Sequence, residues 1–258
     1  MYRAEGQGSM IANTDRNNWL DEVVAAVPAA PYYRDDSVVI FNADCKEIVP
    51  HIPKAELLLT DPPYGMGDLL HRPGSGQWQK LYRDGAPEWD REAPQYLADF
   101  VAIAEKSIVW GGQFFRLPLA RGWLVWNKIL RNWSSSECEL AWTNLPQPVR
   151  AFDYSHGQLA NEGKQHPTQK PEPLMKWCIG LAGDVQTILD PFMGSGTTLV
   201  AAKQLGRFAV GIEREERYCE ISARRMQQEY LPLYTEKSEL TPDEISANRM
   251  RQEVLPIF

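Results

Sequence analysis

The sequence is poor in cysteine, and its four cysteines, Cys45, Cys138, Cys178 and Cys219, lie far apart. None of them forms a C-x-x-C pair and no secretory leader pattern precedes them. The sequence therefore indicates neither a disulfide framework nor a metal site. It also lacks any run of about 18 apolar residues, which argues against a membrane-spanning helix. We expect a protein of the reducing cytoplasm that does not enter a membrane.

Basic side chains are outnumbered, because 27 lysines and arginines stand against 34 aspartates and glutamates and give a formal net charge of −7. Contacts to the phosphates of nucleic acid need lysine and arginine, so this balance does not by itself favour a nucleic-acid partner. Only residues 64–170, with 12 basic and 11 acidic side chains, are not acidic. A nucleic-acid face is therefore expected in this stretch. Its candidate phosphate contacts are Arg72, Lys80, Arg83, Lys128, Arg131, Arg150 and Lys164.

Short apolar segments bounded by turn residues alternate with segments of helical periodicity. This pattern is typical of an α/β fold with a mostly parallel sheet and helices on both faces. We expect a single domain over residues 1–258 with a seven-stranded sheet. The predicted strands are 37–42, 56–60, 107–110, 123–126, 138–142, 187–189 and 208–213. The predicted helices are 17–26, 94–105, 172–181, 197–205 and 215–229.

Two stretches lack such periodicity. Residues 65–90 are rich in glycine, proline and charge. A connection of this length inside a domain is usually a functional or disordered loop, and we interpret it as a mobile flap. Residues 144–165 are polar and are also expected to be irregular.

A glycine turn follows the predicted strand 187–189, in the sequence Asp-Pro-Phe-Met-Gly-Ser-Gly-Thr-Thr. Its glycines permit a tight turn and let a ligand approach the backbone, while the helix that follows offers unpaired amides. The turn lacks the third glycine of the dinucleotide fingerprint and the Gly-Lys-Ser/Thr of a P-loop. The candidate ligand-binding residues are Asp190, Phe192, Gly194, Ser195, Gly196 and Thr197.

Glu213 ends the next predicted strand, roughly 20 residues further on. An acidic residue at this place can accept hydrogen bonds from the ribose hydroxyls of a bound adenosine. The alternative is a glycine turn without a ligand, followed by a glutamate that caps a helix or lies at the surface.

The tetrapeptide Asp61-Pro62-Pro63-Tyr64 follows a buried-strand run of three leucines. Parallel sheets hold their ligands at the carboxyl ends of such strands. An exocyclic amine is a poor nucleophile, but hydrogen bonds to Asp61 and to the carbonyl of Pro62 would aim its lone pair at a methyl donor. Proline fixes φ and holds these acceptors rigidly, and Tyr64 can stack on a flipped base. The alternative is a strand ended by a Pro-Pro turn with an incidental tyrosine.

The two motifs, in this order, resemble the amino-methylating DNA methyltransferases of the beta order, in which DPPY precedes F-x-G-x-G. Residues 166–171, His-Pro-Thr-Gln-Lys-Pro, are similar to the HPTQKP element of that family, and residues 123–128 to its W-x-K strand. The resemblance spans roughly residues 38–230. It implies a Rossmann-like methyltransferase fold that is circularly permuted, with residues 144–165 as a short target-recognition region.

The resemblance also implies that S-adenosylmethionine lies across the glycine turn. Asp44, followed by Cys45, would then lie near the adenine of the cofactor, and Thr168 and Lys170 near its methionine end. The residues leave simpler alternatives open, because Asp44 could be a turn residue and the other two could merely precede a helix.

The activity that the resemblance implies is direct methyl transfer to adenine N6 in double-stranded DNA. Cytosine N4 is the alternative acceptor, although the related enzymes that use it usually have serine in place of Asp61. A protein glutamine methyltransferase would have asparagine there and the opposite motif order, and no Pro-Cys pair for cytosine C5 chemistry is present. A catalytically silent DNA-binding subunit is the alternative from another class. The sequence leaves open the recognition site and the oligomeric state, a homodimer being one option.

Overall fold

The protein is described from a computed structural model, which covers residues 11–65, 93–129, 136–155 and 169–228. Apart from Gly65, the predicted flap lies outside these residues. Thr168 and residues 156–165 of the predicted target-recognition region lie outside them as well.

Nine strands within the described residues form one sheet. They are β1 (Tyr33–Arg34), β2 (Val38–Asn42), β3 (Ala55–Thr60), β4 (Ala104–Trp110), β5 (Gly122–Asn127), β6 (Cys138–Thr143), β7 (Arg150–Asp153), β8 (Thr187–Asp190) and β9 (Phe208–Glu213). All seven predicted strands are present, and β1 and β7 are additional. The expectation that residues 144–165 are irregular was therefore wrong at β7. This strand is short and mostly exposed, so it has no apolar run that would reveal it.

Six α-helices accompany the sheet in the described part of the chain. They are α1 (Ile11–Ala26), α2 (Cys45–Ile48), α3 (Leu97–Ala102), α4 (Glu172–Leu181), α5 (Thr197–Gln204) and α6 (Glu216–Gln227). The predicted helix 94–105 was too long at both ends. The chain enters β4 at Ala104, where the charged residues Glu105 and Lys106 concealed the start of a strand.

The strand order is β1-β2-β9-β8-β3-β4-β6-β5-β7. Strands β2, β9, β8, β3 and β4 run parallel, whereas β6 is antiparallel to both of its neighbours. After β3 the chain continues to β4 on one side, and after β8 it continues to β9 on the other. The boundary between β3 and β8 is thus a topological switch point, where open α/β sheets hold their ligands.

Alternate residues of each central strand enter different cores, as the two-residue period of a strand requires. Leu57 and Leu59 of β3 pack in a cluster with α4, α5 and α6, whereas Leu58 packs with α1, α2 and α3 on the other face. Both faces of the sheet are therefore covered, and the carboxyl edge remains for the site.

Candidate active site

The DPPY tetrapeptide (Asp61, Pro62, Pro63 and Tyr64) begins directly after β3, at the carboxyl edge of the sheet. The Tyr64 hydroxyl donates a hydrogen bond of 2.6 Å to Oδ1 of Asp61. The ammonium of Lys170 contacts the other oxygen, Oδ2. Both oxygens of the Asp61 carboxylate thus face a donor, and each keeps a further lone pair for a ligand.

The ring of Tyr64 is held by residues that follow β4. It stacks on Phe114 with the centroids 5.0 Å apart and meets Phe115 edge to face at 6.3 Å. Gly111 packs against it so closely that an added Cβ would lie 2.1 Å from Cε1 of Tyr64. Gly111 also has a φ of +69°, in the left-handed region that favours glycine. The position of Tyr64 therefore depends on a glycine that the sequence motifs did not indicate.

Lys170 lies between two carboxylates. Its Nζ contacts Asp61 and lies 3.1 Å from Oε2 of Glu139, and it also donates to the Tyr64 hydroxyl over 3.3 Å. Burial alone would lower the pKa of Lys170, but Asp61 and Glu139 outweigh burial and raise it well above the usual value. The ammonium therefore contacts the DPPY tetrapeptide, and its expected role beside the cofactor stays a prediction.

Glu139, on β6, is a member of this site that sequence reasoning missed. Its Oε1 lies 2.6 Å from Nζ of Lys128, which is itself buried. Burial would raise the pKa of Glu139, but the ammonium groups of Lys170 and Lys128 outweigh it and lower the pKa to about 2. Lys128 was one of the candidate phosphate contacts, and the structure instead buries its ammonium and pairs it with Glu139.

The glycine turn (residues 191–196) links β8 to α5. Gly194 and Gly196 have φ values of +51° and +78°, and the N–H of Gly194 donates to Oε2 of Glu213 over 3.1 Å. The N–H of Glu215 donates to the other oxygen of Glu213 over 2.8 Å. Arg225 on α6 fixes the turn from outside by donating to the carbonyl of Ser195 over 2.7 Å. Glu213 therefore shapes the turn and presents a carboxylate at its side.

Asp190 is a buried acid beneath the turn. Its Oδ1 accepts hydrogen bonds from the Thr60 hydroxyl over 2.7 Å and from the N–H of Phe192 over 3.1 Å. Burial raises the pKa of Asp190 to about 6, although the hydroxyls of Thr198 and Thr60 oppose the shift. The groups that stabilise its charged form are neutral donors, the hydroxyls of Thr198 and Thr60 and the N–H of Phe192.

One pocket joins the DPPY tetrapeptide to the glycine turn. It encloses about 420 Å³ of empty space, part of which is open to solvent. Seven of the expected site residues line it: Asp61, Lys170, Asp190, Phe192, Gly194, Ser195 and Thr197. Sequence reasoning missed four further residues of its wall: Gln169, Met175, Met193 and Thr198.

The other described residues that were expected at the site do not line this pocket: Pro62, Pro63, Tyr64, Gly196, Glu213, Asp44 and Cys45. Asp44 caps α2 by accepting a hydrogen bond from the N–H of Lys46 over 2.9 Å, which is the simpler role that the sequence left open. Cys45 is buried, and burial raises the pKa of its thiol to about 12. Both follow β2, which pairs with β9 so that Asn42 lies beside Glu213. They therefore lie at the same edge of the sheet as Glu213.

Comparison with known proteins adds an independent observation. Residues 109–224 match the family of N6 and N4 methyltransferases described as DNA methylase. The Type II methyltransferase M2.LlaDCHI of Lactococcus lactis subsp. cremoris is 28% identical in an alignment of 247 positions that spans 76% of this chain and 91% of that protein. M2.DpnII of Streptococcus pneumoniae is 25% identical in an alignment of 252 positions that spans 77% of this chain and 93% of that protein.

The predicted kinship with the amino-methylating DNA methyltransferases is confirmed. The matched range of the family begins after the DPPY tetrapeptide, so the assignment of Asp61 and Tyr64 depends on the sequence and the geometry above.

Solved DNA methyltransferases share the fold. The M1.HpyAVI–SAM complex superposes with a TM-score of 0.52 at 20% identity, covering 74% of this chain and 99% of that chain. The cytosine-N4-specific PvuII DNA methyltransferase also gives 0.52, at 17% identity, covering 78% and 90%. The predicted Rossmann-like fold is therefore confirmed. Among the described residues of this chain, no helix is long and apolar enough to span a bilayer.

Proposed function

We propose that the protein transfers a methyl group from S-adenosylmethionine to N6 of adenine in double-stranded DNA. The observation that carries this proposal is the pocket lined jointly by Asp61 and by the glycine turn. A group that orients a nucleophilic amine and a turn suited to an adenosine cofactor meet there. Transfer between two bound reactants needs this proximity.

The residues around the glycine turn fit the proposed cofactor. The Glu213 carboxylate accepts backbone N–H groups of Gly194 and Glu215, and the backbone of Arg214 also stabilises its charge. A carboxylate has about four lone-pair sites, so one remains for a ribose hydroxyl. The positive φ of Gly194 leaves the backbone open to close approach. When bound, the cofactor supplies an electrophilic methyl group on a sulfonium centre. Gln169, Ser195 and Thr197 add polar side chains to the pocket wall.

Asp61 is proposed to accept a hydrogen bond from the target amine, with the carbonyl of Pro62 as the second acceptor. Two acceptors draw the amine towards a tetrahedral shape, so its lone pair points away from them. Burial raises the pKa of Asp61, Lys170 opposes the shift, and Glu139 adds to it. The rate of transfer is therefore expected to fall in acid at a higher pH than an exposed aspartate would give, because protonation removes the acceptor.

Tyr64 is proposed to stack on the flipped base. Phe114 covers one side of its ring in the structure and is 42% exposed. A base that stacks on that side would have to displace Phe114, and an exposed side chain at the end of a short 3-10 helix can move at low cost. Adenine is the favoured acceptor because position 61 is aspartate and not serine.

The test is incubation of the protein with unmethylated duplex DNA and S-adenosylmethionine, followed by mass spectrometry of the nucleosides. Asp61→Ala is the variant, and calorimetric binding of S-adenosylmethionine to both proteins controls for folding. We expect N6-methyladenine from the wild type alone. N4-methylcytosine would refute the acceptor. No methylated base, with intact binding of the cofactor, would instead indicate a silent subunit.

A further inference from the structure

Four charged side chains form a chain of contacts that leads away from the DPPY tetrapeptide. Asp61 contacts Lys170, Lys170 contacts Glu139, and Glu139 contacts Lys128. The two lysines are 7% and 9% exposed at their side chains, and the two acids 22% and 23%. The cluster holds two positive and two negative charges, so it is neutral as a whole. A partly buried cluster of this kind is destabilised strongly when one member is removed and its partner stays behind.

The antiparallel pairing of β5 and β6 places Glu139 in this cluster. Trp126 lies opposite Glu139 in the register, and Lys128 comes directly after the end of β5. The N–H of Lys128 continues the ladder by donating to the carbonyl of Glu137 over 3.0 Å. Its ammonium also lies 5.1 Å from the centre of the Trp126 ring. The carboxylate of Glu139 is thus fixed by Lys128 on one oxygen, which leaves the other for Lys170.

Lys170 has three N–H donors, as any lysine ammonium does. Asp61, Glu139 and the Tyr64 hydroxyl are its three partners. Without Glu139, Asp61 would be the only carboxylate left to this ammonium. An ammonium paired with one carboxylate alone binds it more closely and makes it a weaker acceptor for any other donor.

We propose that Glu139 is a positioning residue for methyl transfer: by sharing Lys170 with Asp61, it keeps the Asp61 carboxylate available to the target amine. This inference rests on the proposed function. Glu139 acts through its contact with Lys170 and not by touching the substrate.

The charges that face Asp61 come from four parts of the fold. Lys170 precedes α4, Glu139 lies on β6, Tyr64 belongs to the same tetrapeptide, and Asp190 ends β8. Glu139 raises the pKa of Asp61 and Lys170 lowers it. Removal of the Glu139 charge is therefore expected to lower the pKa of Asp61 and to slow the transfer.

Two variants separate positioning from a merely structural role. Glu139→Gln keeps the size of the side chain but leaves Lys128 as an unpaired buried charge, so it should lose stability. The double variant Lys128→Met with Glu139→Gln removes the unpaired charge and places an apolar chain beside Trp126, so it should recover stability. In both variants Lys170 keeps Asp61 and the Tyr64 hydroxyl as partners and loses its second carboxylate.

The first measurement is the single-turnover rate of methyl transfer to duplex DNA between about pH 5 and about pH 9. We expect both variants to be slower by about tenfold at neutral pH, with the acid limb moved down by about one pH unit. The second measurement is the titration of Asp61 by its ¹³C carboxyl signal, identified as the signal that Asp61→Asn removes. It should shift down in both variants whether or not DNA is present.

The proposal fails if the rate recovers together with stability in the double variant, or if the titration of Asp61 does not move. Absence of methyl transfer by the wild type would refute the proposed function instead. The titration would still decide whether Glu139 shares Lys170 with Asp61.

Discussion

A single methyl group added at Gly111 tests the geometry of the site most directly. The added Cβ would lie 2.1 Å from Cε1 and 2.6 Å from Cδ1 and Cζ of Tyr64. Carbon atoms in contact normally lie about 3.5 to 4 Å apart, so the ring must move by more than about 1 Å. The ring cannot move this far and keep the 2.6 Å hydrogen bond between its hydroxyl and Asp61.

Two effects add up in Gly111→Ala. A left-handed backbone costs alanine about 1 to 2 kcal/mol, and loss of a hydrogen bond to a charged group costs about 1.5 to 3 kcal/mol. We expect the free energy of unfolding to fall by about 2.5 to 5 kcal/mol in total. A displacement of about 1 Å at a catalytic site can also slow the reaction by about a hundredfold. The expected variant is therefore folded but nearly inactive in methyl transfer.

Gly183→Ala is the matched control. Gly183 has a φ of +80° and nothing within 4 Å of an added Cβ, so it carries the same backbone strain without a collision. It follows α4 and precedes β8, at the edge of the sheet opposite the site. Urea unfolding should show a loss of about 1 to 2 kcal/mol for this variant, with an unchanged rate of transfer. Equal rates in the two variants would refute the argument that Gly111 positions Tyr64.

Two further predictions concern the acids beside the turn. The pKa of Asp190 is about 6 in the folded protein against 3.8 ordinarily, so the folded state binds the proton more tightly and stability must fall as pH rises through this interval. Between about pH 5 and about pH 7.5 the loss is about 1.4 kcal/mol, and urea unfolding at both pH values should show this difference for the wild type relative to Asp190→Asn. Glu213→Gln replaces an acceptor oxygen by the NH2 donor of an amide, so calorimetry should show about tenfold weaker binding of S-adenosylmethionine. An unchanged affinity would remove Glu213 from the proposed site.

The sequence was sufficient to predict the frame of the site. Strands β3, β8 and β9 are short apolar runs, and each ends in a polar residue or motif: Asp61, Asp190 or Glu213. Because parallel strands bring their carboxyl ends to one edge, the convergence of these motifs follows from strand prediction alone. The boundaries of α3 and the strand β7 did not follow, since neither is marked by a long run of apolar residues.

Tyr64 and Lys170, which contact Asp61, both belong to motifs, whereas the next two members of the cluster, Glu139 and Lys128, depend on strand register and were harder to predict. Glu139 stands in a strand with no recognisable motif, and Lys128, which ends the W-x-K segment, was expected only as a candidate phosphate contact. Their pairing follows from the alignment of β5 with β6, which sequence periodicity does not determine. The role of Gly111 is hidden for the same reason, since the ring that it touches is 47 positions earlier in the chain.

The acids near the switch point differ in how their charge is compensated, and this difference separates their roles. Glu139 faces two ammonium groups and has a pKa of about 2, whereas Asp190 faces hydroxyl and backbone donors and has a pKa of about 6. Two acids whose surroundings move their pKa values in opposite directions are typical of catalytic sites. Asp190 is costly to ionise, yet its oxygen bonds Thr60 on the neighbouring strand and the N–H of Phe192 in the turn. Its carboxyl group therefore joins the strand that precedes Asp61 to the turn that is proposed to hold the cofactor.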